Sequence, residues 1–357
     1  MALTHRENYI RNARFQTPEW IPMHVAISGA SWNQLRHELE DVLVRHTTMF
    51  PGFEKGKRDY DNWDPGPAYR AGQSFTYAWG CVWEAAIDGL EGVVTGHPLA
   101  DWDAFEGWAP PDPLQTADRG PVDWEGTRQR IAAAKQRGDL TSGGVPHGFL
   151  FMRLTYLRGF QNLMLDMATE EPRLQALIDL LVQHNMTIIR QYVDMGVDLM
   201  ELGEDLGTQT ASIISPAMFR KWMTPAYEKL IAPCAEQGML VALHSDGHIM
   251  GLMDEFRFAG VNIINPQDLC NGIDNLVREI KGRFCIRLDV DRQTVMPFGT
   301  PQQIHDLIED EVRRLGSPEG GLEMICGVYP PTPAENVDAL LSAMENFRTY
   351  WWDGRGG

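Results

Sequence analysis

Short apolar runs separated by longer amphipathic stretches set the rhythm of this chain. Runs at 20–27, 92–95, 147–152, 197–202, 239–243, 261–265, 284–288 and 322–325 show little alternation. That is the pattern of strands buried on both faces of a parallel sheet. Stretches at 171–195, 216–237 and 301–315 are amphipathic and long enough for helices. Ser215-Pro216, Thr300-Pro301 and Thr332-Pro333 each pair a hydroxyl N-cap with proline at the first helical position. Gly196, Gly238, Gly260 and Gly282 stand just past helical stretches, where a left-handed C-cap is wanted. Strand and helix therefore alternate through the second half, which implies a parallel sheet with right-handed crossovers. Eight strands predict an α/β fold of the (β/α)₈ TIM-barrel kind. A doubly wound sheet is the alternative, but no GxGxxG turn follows the first run.

Residues 48–113 break the rhythm. They are rich in Trp, Gly, Pro and Asp (YDNWDPGPAYRAG, YAWGCVWEAAIDG, HPLADWDAFEGWAPPDP) and have poor periodicity. We read them as an elaborated N-terminal βα insertion covering the barrel mouth, within one domain spanning 1–357. The 357 residues are 43 % hydrophobic and 22 % charged, ordinary for a globular protein with a sizeable core. No run of about 18 apolar residues suggests a membrane span. The start, MALTHRENYIRNARF, lacks an apolar leader. A net charge of −18 argues against nucleic acid or an anionic membrane as partner. The five cysteines (Cys81, Cys234, Cys270, Cys285, Cys326) form no CxxC pair, which suits free thiols in a reducing cytoplasm.

In such a barrel the active site forms where strands end. Those ends supply His24, then Glu201, Glu204 and Asp205, then His244, Asp246 and His248 in LHSDGH. Asn265 and Gln267, Asp289 and Asp291, and Cys326 in MICGVYP complete the set. Imidazole, carboxylate and thiolate together can hold zinc. His244 and Asp246, two apart, point the same way on a strand. Cys326 is expected to face them across the axis, with Glu201 or Glu204 as a further ligand. The plainer readings are an inert buried thiol, a loop-capping role for Asp289 and Asp291, and a glycosidase-like carboxylate pair without metal.

At these residues the sequence resembles the uroporphyrinogen decarboxylase superfamily, including its corrinoid-linked methyltransferases. The likeness runs from about Gly148 onward, through FMRLTYLRGFQNLMLDM, GVDLMELGEDLGTQTASIISPAMFRKWMTPAYEKL, LHSDGHIMGLMDEFRFAGVNIINPQ, VMPFGTPQQIHDLIEDEVRRLG and CGVYPPTPAENVDAL. It implies a TIM barrel. The decarboxylase itself carries histidine where this chain has Cys326, and an RQAGRY-like segment where this chain reads FQTPEWIPMH. The resemblance is therefore closer to the methyltransferase branch, whose zinc members show an HxC pattern near the fifth strand and a cysteine at the eighth. His244 and Cys326 match two of those places, and Asp246 replaces the middle cysteine.

The resemblance implies a methyltransferase working with a corrinoid carried on a partner protein, and a homodimer. The metal shell is expected from His244, Cys326, Asp246 and Glu201, catalytic groups from Glu204, Asp205 and Asp246, and cofactor contacts from Asn265, Gln267 and Asp289. GEDLGTQ with LHSDG is similar to relatives acting on methoxylated aromatics or methylamines. Carboxylate in place of thiolate leaves zinc the stronger Lewis acid, suited to an Ar–O–CH₃ substrate whose ring the Trp-rich insertion stacks. Two alternatives stand beside this expectation. One is a metal-free lyase using Asp246 and Glu204; the other is a binding protein that holds a corrinoid or small aromatic without turnover.

Overall fold

Seven of the apolar runs or their neighbours assemble one parallel sheet in the computed structural model, which describes residues 3–356. Its strands are β1 (Met23–Ile27), β2 (Ser142–Gly144), β3 (Leu199–Asp205), β4 (Leu240–Asp246), β5 (Ile263–Pro266), β6 (Cys285–Asp289) and β7 (Leu322–Val328). They lie in the order β1-β7-β6-β5-β4-β3-β2, and every neighbouring pair is parallel. Helices follow most strands, as sequential right-handed crossovers require. The result is a curled, TIM-barrel-like α/β sheet. Among the described residues no ladder joins β1 to β2.

Two expected strands are placed differently. The run at 92–95 forms Val93–Gly96, which pairs antiparallel with Val82–Glu84 in a separate small sheet that also holds Ser74–Thr76. The run at 147–152 is no strand: β2 ends at Gly144, and helix α2 (Phe151–Arg158) begins within the run. A short apolar run reads the same for a strand and for a buried helix start. Phe149, Leu150 and Phe151 are buried all the same. β2 itself is Ser-Gly-Gly, with no apolar signal to find. Gly143 is needed there because a Cβ would meet the Tyr192 ring at 2.2 Å. Ser215 and Thr300 cap their helices as expected, whereas the last helix begins at Ala334 with Pro333 as its cap.

Side chains alternate between the barrel interior and the helical layer. Outward positions such as Met200, Leu202, Leu243, Ile264, Leu288 and Met324 join the main core. Inward positions Leu199, Leu240, Ala242, Ile263 and Cys285 close the floor against Tyr9 and Ala13 of helix α1 (His5–Ala13). Above this floor Arg287 donates to Glu323 at 2.8 Å, Glu201 at 3.1 Å and the Tyr9 hydroxyl at 2.6 Å. His24 and Ile325 line the same cavity, of about 310 Å³.

Asp198, just before β3, accepts from Arg6 of α1 at 2.6 Å and from the Thr141 N–H and hydroxyl at 3.0 Å each. Burial alone would raise its carboxyl, but these bonds outweigh it and hold Asp198 below its ordinary value. Its contribution to stability is thus full above ~pH 4 and is lost as pH falls through the lowered folded-state value. Asp198→Asn is expected to cost about 1–2 kcal/mol in urea unfolding at pH 7. The gap to wild type should shrink below ~pH 4; a gap unchanged down to pH 3 would sink the charge argument.

The irregular segment after helix Gly29–Leu43 packs on α2. Trp83 stacks on Tyr77 (4.7 Å) and meets Tyr156 of α2 edge-on (4.8 Å). Arg153 of α2 donates to Asp118 at 2.7 Å, and the Cys81 thiol lies 3.4 Å from the Tyr156 carbonyl. All five cysteines are free. No helix among the described residues is long and apolar enough to cross a membrane.

Candidate metal centre

The LHSDGH segment carries β4 past its last pairing into a tight turn. Asp205 and Asp246 end the β3–β4 ladder side by side. There the chain turns at Gly247 (φ 81°) against Gly207, whose carbonyl carbon would lie 2.3 Å from any Cβ on residue 247. Only glycine tolerates that approach. His244 and Asp246 share the inward face, as their spacing predicts, and His244 sits opposite Asn265 in the β4–β5 register.

His244 Nδ1 lies 2.8 Å from Asn265 Oδ1. The Asn265 amide is oriented by its own donation to the Arg287 carbonyl at 2.5 Å, so its oxygen faces the imidazole. His244 therefore donates from Nδ1 and turns Nε2 to the interior. That nitrogen stands 3.3 Å from Asp246 Oδ1 and 3.8 Å from Asp205 Oδ1. A bare imidazole lone pair facing two carboxylates is repulsive, so the arrangement calls for a cation or a proton between them.

Two more groups complete the cluster. His147, from the loop after β2, places Nε2 3.4 Å from Asp205 Oδ1. Asp289, at the end of β6, is buried, and burial pushes its carboxyl up to about 6. His147, Asp205 and His244 can bring one ligand atom each within 4.8 Å of one another; so can His244, Asp246 and Asp289. Arg292 donates to Asp246 Oδ1 and lies 3.4 Å from Asp289 Oδ2. Burial alone would raise Asp246, but a proton on His244 Nε2 and the nearby Arg292 and His147 hold it below the usual carboxylate range.

Several expected site residues are used otherwise. Cys326 is on β7, where Glu323 and Ile325 line the interior cavity, so alternation turns the thiol outward into the main core. Burial pushes it well above its ordinary value, and its polar partner among the described residues is its neighbour's carbonyl, Gly327 O, at 3.8 Å. Glu201 sits level with Ala242, two residues below His244 along the ladder, and pairs with Arg287. Glu204 points the opposite way from Asp205. It is fully buried and accepts the N–H groups of Leu150, Phe151 and Met152 at 2.8, 2.7 and 2.9 Å. Burial raises it to about 7, but its place is at the N-terminus of α2, as a capping carboxylate. Gln267 Oε1 accepts from Gly247 N at 2.8 Å, which fixes the turn. Asp291 caps the next loop through the N–H groups of Thr294 and Val295.

His147 and Arg292 escaped the sequence reading. His147 lay inside an expected strand, although Pro146 and Gly148 on either side mark a loop. Arg292 lies three residues past a strand-end aspartate, a position no short pattern singles out.

A curled parallel α/β sheet with histidines and carboxylates gathered at the C-terminal ends of its strands is the barrel class in which ligand sites form at that face. Within that class the family described as Uroporphyrinogen decarboxylase (URO-D) matches residues 88–347, and the chain belongs to it. Methylcobamide:CoM methyltransferase MtbA of Methanosarcina acetivorans is 22% identical over 186 residues, covering 51% of this chain and 52% of that protein. Uroporphyrinogen decarboxylase 2, chloroplastic, of Arabidopsis thaliana is 25% identical over 189 residues, 51% of this chain and 45% of that protein. The chain thus spans about half the length of these curated relatives. Among solved structures, a methyltransferase from Methanosarcina mazei superposes with a TM-score of 0.63 at 18% identity, covering 96% of this chain and 98% of the other. That likeness establishes the shared fold.

Proposed function

We propose that this chain is a corrinoid-linked methyltransferase that moves a methyl group between a small substrate and a corrinoid on a separate protein, assisted by zinc. The observation that carries the reading is His244, anchored through Nδ1 by Asn265, with Nε2 turned to two carboxylates. An N/O donor set of imidazole and carboxylate suits zinc with a position left for substrate, and the likeness to methylcobamide:CoM methyltransferases supports the methyl-transfer part of the reading. When bound, zinc supplies a Lewis acid for the atom that carries or releases the methyl group.

The chain's own residues do the rest. Asn265 holds the His244 tautomer, and Gln267 fixes the turn that carries Asp246. Tyr156 lies beside the His147 loop, since a Cβ on Gly148 would meet its ring edge at 3.0 Å. With Trp83 and Tyr77 it makes a buried aromatic cluster that packs the 48–113 segment onto α2. The partly exposed Tyr156 ring supports a methoxylated aromatic as substrate, and the packed cluster supports the 48–113 segment as a cover that keeps water from the mouth. The metal-free lyase is disfavoured because Glu204, one of its two carboxylates, is buried as a helix cap.

The test supplies cob(I)alamin with a panel of methoxyarenes and methylamines to the zinc-loaded protein. Transfer of CH₃⁺ from an aryl methyl ether to Co(I) yields methylcob(III)alamin and a phenolate, read by absorbance and by the released phenol. Product without any corrinoid acceptor would assign a lyase, and binding without product would assign a carrier.

A further inference from the structure

Two three-ligand sets share His244. The His147–Asp205–His244 set and the His244–Asp246–Asp289 set are each compact, but Arg292 engages both carboxylates of the second and is not among the recorded partners of the first. Its loop is pinned. The Asp291 N–H donates to Asp268 at 2.8 Å, and the Asp291 carboxylate caps the following turn. The guanidinium also stands 5.4 Å from the Tyr329 ring, so it is held from two sides.

We propose that His147, Asp205 and His244 hold the metal, and that Arg292 is the standing counter-cation of Asp246 and Asp289, which keeps the metal on the α2 side of His244. This rests on the metal reading above and adds which residues ligate. Ligand atoms on a tetrahedral zinc with bonds of ~2.0–2.1 Å stand about 3.3–3.4 Å apart. His147 Nε2 is 3.4 Å and His244 Nε2 is 3.8 Å from the same oxygen of Asp205, so small side-chain adjustments suffice. Two histidines and one carboxylate would leave a fourth position for substrate. On the other side, a dication at Asp246 and Asp289 would meet the guanidinium at contact range. Like charges that close are costly in a partly buried setting.

Zinc affinity of the full chain, measured by competition with a chromophoric chelator and with folding checked by circular dichroism, tests the assignment. His147→Gln should weaken zinc by roughly tenfold or more, while Asp289→Asn should change it by less than about threefold. The double variant His147→Gln/Arg292→Met should bind more tightly than His147→Gln alone, because it opens the acidic set. The assignment fails if Asp289→Asn costs as much as His147→Gln, or if the double variant gains nothing. It also fails if Arg292→Met alone weakens zinc, which would make Arg292 a support of ligating carboxylates. A wild type that binds no zinc removes the metal from the proposed function altogether; the reversed ranking of variants overturns only this choice of ligands.

Discussion

Replacing His244 with alanine is expected to abolish stoichiometric zinc, with an affinity loss on the order of a thousandfold, and to stop methyl transfer with it. Partners that merely orient a metal ligand are worth ~10–100-fold, and His244 is the one group common to both possible ligand sets. Asn265→Ala should give that smaller loss, because the imidazole survives but is free to turn. Cys326→Ala is the contrasting variant. Its thiol lies in the outward core with no donor or acceptor beyond its neighbour's carbonyl. The expected cost is about 1 kcal/mol of stability, with zinc retained at full stoichiometry. Metal analysis of the three purified variants decides the matter: loss of zinc in Cys326→Ala would return the thiol to the metal shell.

The largest stability effect is expected inside the barrel. Among the described residues Arg287 is the only cation in contact with Glu323 in the cavity above the floor, and it also engages Glu201 and Tyr9. Its pKa is raised well above the ordinary value: burial works against the charge, but Glu323, Tyr9 and Glu201 outweigh it. Arg287→Met leaves the nearly buried Glu323 without its counter-charge, and breaking such a pair from one side costs ~3–5 kcal/mol. Urea unfolding should show this loss. Arg287→Met/Glu323→Gln should recover a substantial part of it, since a neutral partner carries no stranded charge. Equal stability of the single and double variants would mean that packing, and not charge, sets the cost.

How far the sequence reached can be judged residue by residue. The strands β3 to β7 were legible because each carries a short, mostly apolar run with little alternation, a pattern that buried parallel strands favour. Ser215 and Thr300 were legible as caps because a local hydrogen bond decides them. His244 and Asp246 were legible as a pair because period-two alternation is local. Beyond such local rules the reading failed in specific ways. β2 is Ser-Gly-Gly and carries no hydrophobic signal, because Tyr192 packs where a side chain would stand. Phe149 to Met152 looked like a strand because their burial, not their period, was visible.

Cys326 and Glu204 show the same limit at the site. Both adjoin interior positions, and both face the helical layer, because a one-residue difference in register reverses the face. The composition of the strand ends was enough to say that histidine and carboxylate would meet at the C-terminal face of a parallel sheet. Fold class and the His244–Asp246 pair at a strand end were therefore set by the sequence alone, through local periodicity. Which carboxylates reach that imidazole, that His147 joins them, that Arg292 pairs with Asp246 and Asp289 and that Cys326 turns outward were decided only by tertiary structure. Those contacts depend on the register between strands and on loops brought together from distant parts of the chain, and no local pattern encodes either.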